Sequence, residues 1–438
     1  MALGGGTFTN QNKVLPGSYI NFVSLAKASA AVSDRGIACI PMELNWGMEG
    51  MTELERGDFL TDSLSIFGYS YTADEMKNIR EVFCNAKKLF LYRLNGGGAK
   101  ASNTYGTAKH AGTRGNDIKT AVSANIDDES AFDVITYLGT DKVDTQTVKT
   151  AAELKDNDFV VFNKSAELTA AAAVPMTGGT NSEVTGTQYQ AFLNVAEGVN
   201  FNTLGYAGKD NTTKMLFSSY TKRMREEVGA KFICVLYDCA ADYEGVINLK
   251  TEAEENEGGL VYWTVGADAG ADIGSVVSPR YSSLTNKKYD GEYTPKVSTK
   301  QSDLEKAMNA GQLVFHKVDG EYRVLSDINS FTSVTVNKSA DFQLNQVVRT
   351  LDVLANDIAV IFNDRYIGKV INNANGRDAF WGDVVAYCRI LENMQGIQDF
   401  NAEGVTVAQG NDKKSVTVDI EVNPTAAMEK LYMTVTVA

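Results

Sequence analysis

The sequence predicts a multidomain chain of mixed α/β and α+β class. A central, helix-covered mixed sheet is interrupted by a small β-rich domain and followed by an α+β C-terminal domain, with extended arms at both ends. Three observations predict it. Apolar runs of strand length alternate with amphipathic helical stretches over 23–95 and again over 188–325, the rhythm of a mainly parallel sheet covered by helices. From 96 to 187 that rhythm gives way to short β-like pieces among Gly, Thr, Ser and Asp clusters. From 326 to 438 two long helices precede strand-like segments that run to the last residue. The 438 residues are 44% hydrophobic and 22% charged, enough apolar material for more than one core, and two to four domains are expected at roughly 100–200 residues each.

Residues 1–22 read as an extended N-terminal arm. Gly4-Gly5-Gly6 cannot pack a core, Pro16-Gly17 is a turn signal, and 19–23 has strand character. Phe8, Val14, Leu15, Tyr19 and Ile20 make this arm too apolar to stay in water. Residues 35–42 read as a buried strand. Thr72-Ala73-Asp74-Glu75 matches a capping box opening a helix with Met76, Ile79, Val82 and Phe83 on one face, and 88–94 reads as the next strand. In the inserted domain, β pieces are expected at 118–126, 132–138 and 159–163, with Ala170 to Ala173 and Thr177-Gly178-Gly179-Thr180-Asn181 closing it. The α/β rhythm then resumes. Helix 189–197, strand 201–206 and helix 212–228 (Met215, Leu216, Tyr220 and Met224 inward) lead to strands 231–237 and 246–249 and helix 260–274. Asp319-Gly320 between 312–318 and 322–325 signals a hairpin. Helices are expected at 343–362 and 377–395 and strands at 405–408, 415–422 and 431–437.

Charge and composition exclude several functions. A net charge of −14 repels phosphate backbones, so no direct nucleic-acid partner is expected. Cys39, Cys84, Cys234, Cys239 and Cys388 are odd in number, scattered and mostly in apolar runs, which fits buried free thiols in a reducing compartment. The N-terminus lacks the basic and apolar regions of a signal peptide. No apolar run approaches the roughly 20 residues that span a bilayer. Synthesis in the cytoplasm is therefore expected, with any action outside following lysis or release within a larger particle.

Chemistry is equally sparse. The two histidines, His110 and His316, fall in different predicted domains, which leaves no multi-histidine metal site and few bases near neutral pH. No Gly-x-Ser-x-Gly elbow is present. Gly208-Lys209-Asp210 lacks the upstream glycine and the Ser or Thr of a phosphate loop. Glycines four apart at 266, 270 and 274 do not match a dinucleotide fingerprint; on a helix they would let a neighbouring backbone approach. Asp268 and Asp272 share that helix and read as a solvated or salt-bridged edge. The acidic runs 127–129 and 252–257 read as solvated loops. No enzyme activity, metal or cofactor is expected.

The informative feature is the pair of arms. An unpaired strand exposes N–H and C=O groups that seek a sheet edge. Leu431, Met433, Val435 and Val437 alternate strictly with Tyr432, Thr434 and Thr436. Val405, Val407, Val416, Val418 and Ile420 mark the expected partner sheet. If the edge belongs to another copy, the contact is heterologous and propagates a ring or helix.

Several segments carry a resemblance. Lys13-Val14-Leu15-Pro16-Gly17-Ser18-Tyr19-Ile20-Asn21-Phe22, Tyr92-Arg93-Leu94-Asn95-Gly96-Gly97, Ala111-Gly112-Thr113-Arg114-Gly115-Asn116-Asp117-Ile118, Asn329-Ser330-Phe331-Thr332 and Gln346-Val347-Val348-Arg349 occur in that order. With the C-terminal strands they resemble the contractile tail sheath family of myophages and phage-tail-like bacteriocins, in particular the shorter sheaths of Gram-positive prophages and clostridial particles. The resemblance implies a helical homopolymer of stacked six-fold rings around an inner tail tube protein, in contact with baseplate and tail terminator proteins and without membrane insertion. It further implies that the terminal arms join a neighbour's C-terminal sheet and that contraction drives the tube through a cell envelope. The alternatives are another self-assembling shell or surface-layer protein, which would lack a matching inner tube, and an α/β enzyme, which would be active as a purified monomer.

Overall fold

A computed structural model describes residues 35–271 and 283–437. The N-terminal arm, with Phe8, Val14, Leu15, Tyr19 and Ile20, lies outside the described residues, as does Asp272.

The first part of the core contains β1 (Ile37–Met42), β2 (Gly50–Glu55), α1 (Arg56–Phe67), α2 (Lys77–Phe83) and β3 (Lys88–Arg93). The sequence reading assigns no element to 50–67. Only Leu54 of β2 and Phe59, Ser63 and Phe67 of α1 are buried, so the periodic signal there is thin. The capping box at Thr72 does not form. Asp74–Met76 make a 3-10 turn with Ala73 at its N-cap, and the Thr72 hydroxyl meets Ser70 Oγ at 3.1 Å. Arg80 Nη1 donates to the carbonyls of Tyr71 and Ala73 at 2.6 Å each and holds that loop across the helix start.

The inserted segment carries β4 (Ser102–Asn103), β5 (Gly106–Ala108), β6 (Ile118–Ala124), β7 (Phe132–Leu138), β8 (Asp141–Val148), β9 (Val160–Phe162) and β10 (Ala171–Pro175). They form two antiparallel sheets, in the orders β10-β6-β7-β8 and β4-β5-β9. The alanine run forms most of the edge strand β10. Their shared core holds Ile118, Val134, Phe162 and Met176 and takes in Trp46 from the loop after β1.

The chain then returns through α3 (Gly186–Ala196), β11 (Thr203–Tyr206), α4 (Asn211–Arg223), β12 (Ile233–Tyr237), β13 (Val246–Leu249), β14 (Glu252–Ala253), α5 (Leu260–Gly270), β15 (Pro295–Lys296), α6 (Gln301–Asn309) and β16 (Gln312–Leu313). A seven-stranded sheet results, ordered β16-β13-β12-β11-β1-β3-β2, parallel except where β2 runs against β3. Strand alternation divides its residues between two cores. Ala38, Ile40, Ile233 and Val235 pack with α2 and α5 on one face, while Cys39, Leu204, Cys234 and Leu236 pack with α3 and α4 on the other. Glycine spacing on α5 does bring a backbone close: a methyl at Gly266 or Gly270 would run into the carbonyl oxygens of Val82 and Asn85 in the α2 segment. Met215 of α4 is 68% exposed, and Phe217 is the buried residue in its place beside Tyr220 and Met224. The next pair, β17 (Phe315–Val318) and β18 (Glu321–Val324), is a hairpin turned by Asp319 and Gly320 at φ 50° and 86°, both in the region a primed two-residue turn requires.

The C-terminal part consists of α7 (Asn345–Arg365), α8 (Ala374–Asn393), β19 (Ile397–Gln398), β20 (Val405–Gln409), β21 (Val416–Ile420) and β22 (Asn423–Pro424). Ile361, Phe380, Val384 and Tyr387 form its core.

One buried carboxylate in the first core makes a testable prediction. Glu81 of α2 is fully buried and accepts hydrogen bonds from Tyr289 Oη at 2.8 Å and from the Glu292 amide. Burial pushes its carboxyl up from the usual range. A raised folded value means that the ionised form costs stability, a cost absent below the unfolded value and growing as pH rises through the folded one. Glu81→Gln keeps an acceptor for the amide and removes the charge. It is expected to stabilise the subunit by about 1 kcal/mol at pH 8 and by nothing near pH 4, read by thermal unfolding at both.

Candidate assembly interface

The interface begins with α8, whose apolar face carries the β20–β21 hairpin. Antiparallel register pairs Val405 with Ile420, Val407 with Val418 and Gln409 with Val416. Val405 is buried in the α7–α8 core, and Val407, Val416, Val418 and Ile420 pack against it half-buried, so one hairpin face lies on that core. Trp381 Nε1 of α8 donates to the Val405 carbonyl at 2.9 Å and fixes the base of β20. Among the described residues no strand pairs with the outer edge of β20 or of β21. The hairpin is thus a two-stranded sheet with an apolar underside and two open edges, the arrangement to which further strands add.

The last residues match such an edge without occupying one here. Leu431, Met433, Val435 and Val437 are 85%, 75%, 72% and 91% exposed, and 431–437 pairs with no strand among the described residues. Four large apolar side chains alternating along one segment are costly to leave in water, at roughly 1.5–3 kcal/mol for each that could be fully buried.

Helix α7 joins this platform to the main sheet through charge. Arg349 donates from Nη1 to Asp268 Oδ1 of α5 and from Nη2 to Asp327 Oδ2, both at 2.6 Å. Thr203 Oγ1 of β11 completes Asp268 at 2.8 Å, and Asn345 Nδ2 completes Asp327 at 2.9 Å. Further along α7, Asp352 receives Arg225 Nη2 at 2.8 Å, and Asp357 receives Arg35 and the Tyr387 hydroxyl of α8. All of these charged side chains are buried. Burial pushes the carboxyls of Asp268 and Asp352 up, and the facing guanidinium pulls each back down. Asp268 is therefore no solvated edge; it is one end of a seam between sheet and helix. The sequence reading missed this seam because Arg349 lies far from its partners along the chain. The one local sign was charged residues at 349, 352 and 357 interleaved with Val348, Val353 and Ile361 on the buried side of the helix.

His110 lies edge-on to Trp46 at 5.2 Å between ring centroids, and burial lowers its pKa to about 4. Burial likewise lowers His316. The thiols of Cys39, Cys84, Cys234, Cys239 and Cys388 are unpaired, and burial pushes all of them up, Cys84 to about 12 and Cys388 to about 11, which leaves them poor nucleophiles. Among the described residues no three metal-binding side chains cluster, and no helix is long and apolar enough to cross a membrane.

Four family profiles tile the chain. They are the tail sheath protein Gp18 domain III N-terminal region over 35–94, the phage tail sheath protein beta-sandwich domain over 95–181, the phage tail sheath protein central domain over 182–330 and the phage tail sheath C-terminal domain over 337–438. A sheath tail protein from Desulfitobacterium hafniense superimposes with a TM-score of 0.81 at 34% identity, covering 95% of this chain and 99% of its own. The chain belongs to the phage tail sheath family. A second sheath tail protein, from Listeria innocua, superimposes at 0.76 with 31% identity over 94% of this sheath chain and 96% of its own. The phage-like element PBSX protein XkdK of Bacillus subtilis (strain 168) is 29% identical over 479 residues, covering 99% of the sheath chain and all of its own.

Proposed function

We propose that this sheath chain is the repeating subunit of a contractile sleeve that polymerises helically around an inner tube and shortens to drive that tube through a bacterial envelope. The observation that carries the reading is the exposed, alternating segment 431–437 on a chain whose own hairpin has both outer edges unpaired among the described residues. Each copy would donate its C-terminal arm, and its N-terminal arm, to neighbouring hairpins. A five-residue strand forms about four or five hydrogen bonds worth roughly 0.5–1.5 kcal/mol net each, so two arms would hold a copy by several kcal/mol. The buried seam along α7 makes sheet and platform one rigid piece, so movement between copies falls on the arms. An extended sleeve of this kind is a kinetic trap that contraction relieves. Its partners are further copies, the inner tube protein, and baseplate and terminator proteins. It works as a mechanical part rather than as an enzyme, made in the bacterial cytoplasm and released by lysis within a phage or phage-tail-like particle.

The inserted β domain faces outward in this reading and is dispensable for polymer formation. The Ser182 amide donates to the Asn95 carbonyl at 3.1 Å, so the two ends of the insert meet and a short linker can close them. Electron microscopy tests both points. The full chain is expected to form long sleeves. A chain with 96–181 replaced by a Gly-Ser linker, and with Trp46→Ser to remove the indole that packs into the lost core, is expected to form narrower ones. Folded but unassembled full-length chain would count against the sleeve, and loss of sleeves only on deletion would count against the outward placement.

A further inference from the structure

The C-terminal arm is tied to its own subunit before it becomes free. Thr425 donates from its amide to the Gly396 carbonyl at 3.0 Å and from its hydroxyl to the Gln395 carbonyl at 2.6 Å. The Ala427 amide donates to Gln346 Oε1 of α7 at 2.8 Å. Glu429 then accepts from Thr285 Oγ1 at 2.6 Å with one carboxylate oxygen and from Ser326 Oγ at 3.1 Å with the other. The Thr285 hydroxyl oxygen also accepts from the Asp327 amide at 2.8 Å and from Ser283 Oγ at 3.1 Å, so its single proton is aimed at Glu429. Asp327 in turn holds Arg349. The arm's root is therefore continuous with the buried seam. It borders a cleft of about 230 Å³ that Leu344 and Gln346 also line. From Ala426 onward every described residue is exposed, Glu429 included, so the contacts of Glu429 hold a segment that already lies on the subunit surface.

We propose that Glu429 is a clamp that fixes the root of the C-terminal arm to its own core and so sets the length and facing of the strand offered to the next copy. The inference rests on the strand-exchange reading above. With the origin at Glu429, residues 430–438 are what can reach a neighbour, about 30 Å when fully extended. Strand faces alternate with a period of two, so an anchored arm shifted by one residue turns Leu431, Met433, Val435 and Val437 away from the side they would bury. A residue added before the clamp is absorbed between Thr425 and Glu429 and leaves the arm unchanged. Glu429 is a positioning residue, with partners drawn from segments more than 100 positions away in sequence.

The test uses the full chain, with polymer measured by sedimentation and electron microscopy and folding by thermal unfolding of dilute subunit. One glycine inserted after Lys430 is expected to lower the polymer fraction about tenfold, two glycines to restore it to within about twofold, and one glycine after Thr425 to leave it within about twofold. Glu429→Ala is expected to erase the difference between one and two glycines without lowering the unfolding temperature. Equal effects of a single glycine on either side of Glu429, or a one-versus-two difference that survives Glu429→Ala, would overturn the clamp. A chain ended after Lys430 separates the two ideas. If it polymerises as the parent does, strand exchange by this arm is wrong. If it does not polymerise and the one-versus-two difference is missing, the clamp alone is wrong.

Discussion

Arg349→Met is expected to lower the unfolding free energy of the subunit by about 3–5 kcal/mol, because it leaves two buried carboxylates facing each other with no cation between them. Arg349 is the shared partner of Asp268 and Asp327, and its side chain is 4% exposed against 1% for each of them. Methionine fills most of the volume, so the loss reports the charge rather than a cavity. In thermal unfolding, a deficit of this size corresponds to roughly 10 °C in a domain of 150–250 residues. The deficit also has a sign in pH. Burial already raises the Asp268 carboxyl, so its ionised form costs stability above the unfolded value and the cost fades on acidification. Removing the guanidinium strips away the largest compensation. The difference between variant and parent is therefore expected to be larger at pH 8 than at pH 5, where proton uptake substitutes for the lost cation. A deficit of equal size at both values would mean that packing along α7, rather than the ion network, holds platform to sheet.

Val435→Pro is expected to have the largest effect on assembly and almost none on the subunit. Proline removes one backbone donor and fixes φ near −65°, which an inner position of a strand ladder does not tolerate. Val435 is 72% exposed and belongs to a segment outside every sheet of the described residues, so the substitution disturbs no core. Sedimentable polymer is expected to fall more than about tenfold, while the unfolding temperature of dilute subunit moves by less than about 1 °C. Early melting would place 431–437 in the subunit's own fold. Normal sleeves would remove the arm from the account.

The sequence discloses the parts whose signals are local. The apolar runs of β1, β12 and β13 are fully buried strands, and their alternation with α3, α4 and α5 reads directly as a helix-covered sheet. Asp319-Gly320 and the strict alternation of 431–437 are equally local. Where several elements compete for one segment, the reading goes astray. Thr72 has the right neighbours for a capping box, yet its hydroxyl meets Ser70 and the first turn is a 3-10 turn with Ala73 at its N-cap. Met215 and Phe217 are both apolar and two apart, and it is Phe217, three residues before Tyr220 and seven before Met224, that shares their buried face. The polar strand β8 covers one edge of its sheet and has almost no apolar pattern. The contacts that organise the interface are the least legible. Arg349 with Asp268, and Glu429 with Thr285, join residues that only the fold brings together. A buried aspartate and a solvated one look alike in sequence.

The most direct measurement is a helical reconstruction, from electron cryomicroscopy, of the polymer formed by the full chain. The account predicts density for 431–437 as an added strand on an open edge of the β20–β21 hairpin of a different copy, with Leu431, Met433, Val435 and Val437 turned toward that copy's α8. Density that folds this segment back onto its own hairpin, or leaves it away from every hairpin in the polymer, would contradict the account.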